Sequence, residues 1–214
     1  MRNTNLCPLD ICFEDNDLLV VNKPSGVLSQ PGKSIDGSIA TQAKLEYPDA
    51  TGSMLVHRLD MDTSGLLILA KSQLSHRHLQ QQFEQRQVSK RYIAILSGKP
   101  TGQGGRIKLP LRVDIDNRPA QIVCFENGKS ADTLWYCWQL SDDSINTRVA
   151  FIPISGRTHQ LRLHAAHPLG LNAPIVGDRL YGVKSSRLML HADEIAFAHP
   201  VTGQRIQLSC PAPF

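Results

Sequence analysis

No two cysteines in this 214-residue sequence stand in C-x-x-C spacing, and the five present, Cys7, Cys12, Cys124, Cys137 and Cys210, are odd in number. That argues against a disulfide framework and a zinc knuckle, and it fits the reduced thiols of a cytoplasmic protein. No apolar run approaches the roughly 20 residues of a membrane span. Asp10, Glu14, Asp15 and Asp17 interrupt the N-terminal stretch, so no signal-peptide core forms. Neither G-x-G-x-x-G nor a Walker loop occurs, and Gly102-Gln103-Gly104-Gly105 lacks a following helix and reads as a flexible turn. The eight histidines offer no helical zinc pair, since His159 and His164 are five apart and His76 and His78 two apart. No metal is expected. No internal repeat, low-complexity tract or clear linker divides the chain.

What is present is ordinary in bulk: 41% hydrophobic and 20% charged residues, the composition of a soluble globular protein. The length suits a single domain over residues 1–214 with a sizeable core. A net charge of +4 is a mild basic bias. Its distribution says more. Lys71–Arg91 and Arg157–His191 each carry net +4, whereas Met1–Asp17 carries −3. Converging on one face, the two basic segments would make a phosphate-binding rim. Lying apart, they are two solvated helix faces.

The pattern predicts strands over Ile11–Glu14 and Leu18–Asn22, the second ended by Lys23-Pro24-Ser25-Gly26. A helix follows over Ser38–Tyr47, closed by Pro48. Leu66–Lys71 reads as an apolar strand, and Ser72 caps a helix over Gln73–Gln87. Then come a strand Arg91–Leu96, a loop Gly98–Gly105, and strands Ile107–Val113, Gln121–Phe125, Thr133–Leu140 and Arg148–Pro153. A helix Thr158–His167, capped by Thr158, precedes strands Leu188–His191, Glu194–Ala198 and Arg205–Ser209. Many strands, few helices and no regular βαβ alternation argue α+β with a mixed, mostly antiparallel sheet.

Chemistry concentrates in His57-Arg58-Leu59-Asp60-Met61-Asp62-Thr63-Ser64-Gly65, set directly before the apolar run Leu66–Ala70. A sheet holds such a loop rigidly, with a carboxylate beside a guanidinium. Asp60 reads either as a turn aspartate or as a catalytic carboxylate. In the second case it must stay ionised in a partly dry site, and Arg58 and Arg162 are the candidate counter-ions. Arg162 lies in Ser155-Gly156-Arg157-Thr158-His159-Gln160-Leu161-Arg162, a polar stretch at the end of a buried strand. Tyr92 begins a strand and reads either as core or as a stacking ring.

These stretches, together with Asn22–Gly26, Gly177–Gly182 and Leu188–Ala192, resemble the RluA-type pseudouridine synthases. The likeness runs in the family's order from about Leu18 to about Pro213. The resemblance implies a pseudouridine synthase fold, its sheet bent around a central catalytic cleft and flanked by a few helices. It implies an isomerase that flips a uridine out of RNA and uses Asp60 as nucleophile or base, with Tyr92 stacked on the uracil. Arg162 then pairs with Asp60, Arg58 enters the place the base vacates, and Leu190 walls the pocket. Arg157, His159 and His57 are further RNA or supporting contacts. The implied partners are stem-loops of 23S rRNA and tRNA, and the enzyme is expected to be a cytoplasmic monomer without cofactor. The chain begins too close to the catalytic module to hold the S4-like RNA-binding domain of some relatives. Two other classes remain open: a non-catalytic RNA-binding or ribosome-assembly module, and a hydrolase pairing Asp60 with His57 on a small substrate.

Overall fold

A computed structural model describes residues 8–32, 37–139 and 145–214. In chain order the elements are β1 (Ile11–Glu14), β2 (Leu18–Lys23), α1 (Ile39–Glu46), β3 (Ser64–Ala70), α2 (Gln73–Glu84), β4 (Ser89–Ser97), β5 (Gly104–Lys108), β6 (Leu111–Val113), β7 (Gln121–Val123), β8 (Asp132–Gln139), β9 (Asn146–Pro153), α3 (Gln160–Ala166), β10 (Leu190–Ala198) and β11 (Arg205–Ser209). This is the α+β class expected from the pattern. The chain forms two compact units, one from residues up to Ser89 together with Ala192–Pro213, the other from Lys90–His191 with Phe214.

In the first unit the strands run β1-β2-β3-β10, with β11 on β10. β3 is buried along its whole length, as an unbroken apolar run requires. Leu66, Ile68 and Ala70 pack with Leu18, Val20, Leu79 of α2, Ile195 and Phe197. Both helices start on a serine: Ser38 accepts from the Thr41 amide and Ser72 from the Ser75 amide. α2 stops at Glu84 rather than at Gln87, because Arg86 turns into the left-handed region with φ 58°. Gly65 has φ +112°, and a Cβ there would lie 2.3 Å from the Ala192 carbonyl oxygen of β10. The glycine after Ser64 is therefore what lets two central strands approach.

In the second unit the order is β4-β9-β8-β5, all antiparallel, and β6-β7 is a separate hairpin. Ala94, Leu96, Ile107, Trp135, Val149 and Phe151 form the inner face of its sheet and pack with Leu161 and Leu163 of α3. Four expectations are corrected. The strand expected over Ile107–Val113 is two, since Pro110 lacks the N–H to carry the ladder across. β5 begins at Gly104, inside the expected loop, where it pairs with Tyr136. β10 is one strand rather than two: Asp193 reads as a break, yet its side chain is buried and its carbonyl accepts from the Cys210 amide. α3 begins at Gln160 rather than Thr158, with His159 left-handed at φ 55° before it and no side-chain cap. Leu140, the end of the expected strand over β8, lies outside the described residues, as does Cys7. The four described cysteines are thiols outside any disulfide.

Candidate active site

Asp60 belongs to the first unit and sits on a loop tied down from several directions. The Lys23 side chain is fully buried, and its ammonium donates to the carbonyls of Pro24 (2.8 Å), Val27 (2.7 Å) and Met61 (2.9 Å). Those acceptors match the three donors of an ammonium. Ser25 donates to the Asp62 carbonyl at 2.7 Å, and the Gly26 amide to that of Met61 at 2.9 Å. The Ser29 hydroxyl accepts from the Leu59 amide at 3.0 Å and donates to the Leu59 carbonyl at 2.8 Å. Leu59 is thus fixed inward. On one side of it Arg58 is exposed, and on the other Asp60 is half-buried. The stretch after β2, which the pattern reads as a strand terminator and the family resemblance as shaping the cleft, holds the loop that carries Asp60.

His57 is turned inward. Its Nε2 accepts from the Ile68 amide at 3.0 Å, and its ring stacks on Phe83 with centroids 4.5 Å apart. The lone pair a general base would use is engaged in that bond. This removes the feature that favoured a hydrolase built on Asp60 and His57.

The second unit carries the other named residues. Tyr92 lies on the inner face of β4, opposite Phe151, and packs with Tyr181 against the cluster that buries Leu190. Arg162 is buried and forms a fork with Asp178: Nε to Oδ2 and Nη2 to Oδ1, both 2.7 Å. Burial opposes ionisation of Asp178. The fork outweighs it, with help from the Leu180 and Tyr181 amides, and holds the carboxyl below its ordinary range. The Arg162 guanidinium also lies 5.3 Å from the Tyr181 ring. The Tyr181 hydroxyl accepts from the Gln121 amide at 2.7 Å and bonds His159 Nδ1 at 2.9 Å. Arg157 is exposed, and its Nε donates to the Ser130 carbonyl at 3.1 Å.

Beneath α3 runs a buried relay. The Asp132 amide donates to Ser155 Oγ, and Ser155 donates to Gln160 Oε1 at 2.8 Å. Gln160 Nε2 donates to the Asp132 carbonyl and to Thr133 Oγ1, which bonds His164 Nδ1 at 2.9 Å. Gln160 Oε1 also accepts from the Arg157 amide at 2.9 Å. That side chain ties the turn into α3 to Asp132 and Thr133. It offsets the strain of a left-handed His159.

Among the described residues one group has the geometry for a metal ion, Asp15, Asp17 and His199. Its His199 and Asp15 atoms are already hydrogen-bonded. His199 Nδ1 accepts from the Val201 and Thr202 amides, and Nε2 meets Asp15 Oδ2 at 2.9 Å. Burial works against the Asp15 carboxylate, but the Asp17 and Leu18 amides and His199 hold its pKa down. The group closes a turn through hydrogen bonds.

Residues 17–167 match the family of RNA pseudouridylate synthases. The chain is 40% identical over 213 residues to the dual-specificity RNA pseudouridine synthase RluA of Escherichia coli K12, covering 96% of this chain and 94% of that one. It is 41% identical over 211 residues to its counterpart in Yersinia pestis, covering 95% and 99%. The chain belongs to the RluA-type RNA pseudouridine synthases. It is an isomerase of uridine in RNA. Among solved structures, human RNA pseudouridylate synthase domain containing 1 superposes with TM-score 0.79 at 29% identity, covering 96% of this chain and 84% of that one. Human domain containing 4 gives 0.75 at 26%, covering 95% and 88%. This is the pseudouridine synthase fold.

The relay beneath α3 ends on a buried histidine, His164, bonded to Thr133. His164 is fully buried, and burial pushes its pKa down to about 4. The unfolded chain protonates it near 6.5. The unfolded state therefore binds the extra proton first as pH falls. Stability is complete above about pH 6.5 and declines towards pH 4, by at most about 3 kcal/mol. Urea midpoints measured across this range should fall for the wild type and fall less for His164→Gln. An equal fall in both would refute the assignment.

Proposed function

We propose that this synthase converts uridines in loops of 23S rRNA and of tRNA to pseudouridine, with Asp60 as its reacting carboxylate. The observation that carries this reading is the loop itself. A half-buried carboxylate stands on a segment fixed by Lys23, Ser25, Ser29 and Gly26, in a chain similar over nearly its whole length to a relative named for dual specificity. The reaction breaks N1–C1′, turns the uracil and joins C5 to C1′. The C5 hydrogen leaves to water and a proton returns at N1, so atoms and electrons balance without an oxidant or acceptor. Cleavage builds positive character on the sugar, as in glycoside hydrolysis. Asp60 meets it by attack at C1′ or by taking the C2′ proton.

The base must first leave its stack. Arg58, exposed beside the anchored Leu59, takes the vacated place, and Tyr92 restores stacking for the extruded uracil. Leu190 lines its apolar side. Arg162, fixed by Asp178, orients the reacting carboxylate. Arg157 and His159 support RNA binding, and His57 positions the loop. The enzyme works as a monomer in the cytoplasm. Among the described residues no helix is long and apolar enough to cross a membrane.

Tritium release from tRNA and 23S rRNA fragments labelled at uracil C5 tests this directly. Release from both is expected. Release from neither leaves the RNA-binding module as the better reading, and turnover of free uridine would favour a small-molecule enzyme. Binding should also weaken steeply with salt, because Lys71–Arg91 and Arg157–His191 each carry net +4. An affinity indifferent to salt would remove phosphate contacts from the account.

A further inference from the structure

The sheet of the second unit has an outer face that the proposed chemistry does not use. β8 alternates, so Thr133 and Trp135 point into the core while Leu134, Tyr136 and Trp138 point out. Tyr136 is 36% and Trp138 44% exposed, on the outer face of a strand where polar residues are the norm. Their ring centroids are 6.0 Å apart, and the Arg91 guanidinium lies 4.6 Å from the Trp138 ring. Tyr92 stands opposite Phe151, so alternation puts their neighbours Arg91 and Ile152 on the other face, where Ile152 stands opposite Leu134. Among its described residues the face also carries Arg106, Lys108 and Arg148, against the single carboxylate of Asp132. Arg106 is held by that carboxylate at 2.6 Å, and Arg148 donates to the Phe214 carbonyl at 2.6 Å.

We propose that Arg91, Tyr136 and Trp138 form a stacking platform for unpaired nucleotides of the RNA substrate, outside the target loop. The proposal rests on the reading of this chain as an RNA-modifying enzyme. Aromatic rings interleaved with arginine suit single-stranded RNA, since every base offers a π-face and the cations meet the phosphates. Arg91 already orients the Trp138 ring, which lowers the cost of ordering it on binding. Because neighbours in a strand point oppositely, Arg91 and Tyr92 face opposite sides of β4. The nucleotides on the platform are therefore separate from the uridine that Tyr92 would stack on, and belong to a flanking single strand.

The test compares a stem-loop substrate with the same stem-loop carrying a single-stranded extension. The wild type should bind the extended RNA more tightly, and the Tyr136→Ala/Trp138→Ala variant should lose roughly tenfold or more of that affinity. The variant should keep wild-type affinity and tritium release for the bare stem-loop. Trp135 is buried, so fluorescence quenched by the extension should come from Trp138 and vanish in Trp138→Phe. Equal binding of the extended RNA by variant and wild type overturns the platform. So does a wild-type dimer that the variant dissociates, because the face would then be covered by a second copy. Tritium release from no RNA at all would instead defeat the underlying functional reading, which the bare stem-loop reports separately.

Discussion

Asp60→Ala should leave an RluA-type synthase that binds its RNA within a few fold of wild type and releases no measurable tritium from it. Loss of the reacting group of a covalent or acid–base site typically costs about 10⁴-fold or more in turnover. The surrounding geometry argues that the loss will be chemical rather than structural. The loop is fixed through backbone carbonyls and amides: Lys23 to Met61, Ser25 to Asp62, Ser29 to both polar groups of Leu59. None of these bonds uses the Asp60 side chain, so truncating it leaves them in place. Asp60→Asn should be equally inactive, because an amide neither attacks C1′ nor accepts the C2′ proton. In the wild type, deuterium at C2′ separates the two routes: a primary isotope effect follows only from proton removal there. Turnover by Asp60→Ala within about tenfold of wild type would sink the assignment.

Lys23 sets a second, milder expectation. Lys23→Met would remove the ammonium from three carbonyls, of which Met61 keeps the Gly26 amide, while retaining a stem of similar length. A drop in turnover with RNA affinity retained should follow, since the residue touches the loop and not the substrate.

The parts of this molecule that were legible in its sequence are those decided locally. Ser38 and Ser72 cap the helices they precede, and Leu66–Ala70 is buried because an unbroken apolar run has no polar face to show. The glycine that closes the motif His57–Gly65 is explained by Ala192 lying against it. What escaped depends on residues far apart in the chain. Lys23 finds one acceptor at Met61, 38 residues on. The start of α3 is set by Gln160 reaching back to Asp132 and Thr133, which no capping pattern encodes. The carboxylate seen on Arg162 in its own unit is Asp178, 16 residues later, where charge counting had only a lone acid in a basic segment. The outward row Leu134, Tyr136, Trp138 was hidden because its neighbours are apolar too, so the run gives no alternation to read.

Asp178→Asn should be the most destabilising polar substitution in the second unit. The side chains of the pair are 4% and 0% exposed, so the change takes a two-bonded, charged partner from a buried guanidinium. Breaking a buried pair from one side typically costs about 3–5 kcal/mol. The damage should spread along the bonds Asp178 makes. Its Oδ1 also accepts from the Leu180 and Tyr181 amides, and Tyr181 in turn holds the Gln121 amide and His159. On the role proposed for Arg162, activity should fall with stability, because the guanidinium loses the fork that holds it. The paired replacement Arg162→Met/Asp178→Leu distinguishes the two consequences. Removing both charges should recover much of the stability lost by the single change, as it does where buried pairs are exchanged for apolar side chains. It should recover no turnover, since the role proposed for Arg162 needs the guanidinium. The acid limb offers an independent check. The Asp178 carboxyl is held below its ordinary value, so its contribution is complete above about pH 4 and lost only as pH falls further. The His164 contribution disappears at higher pH, before Asp178 begins to protonate. A wild type stable down to pH 4 and an Asp178→Asn variant within about 1 kcal/mol of it would together show that neither buried group holds α3 in place.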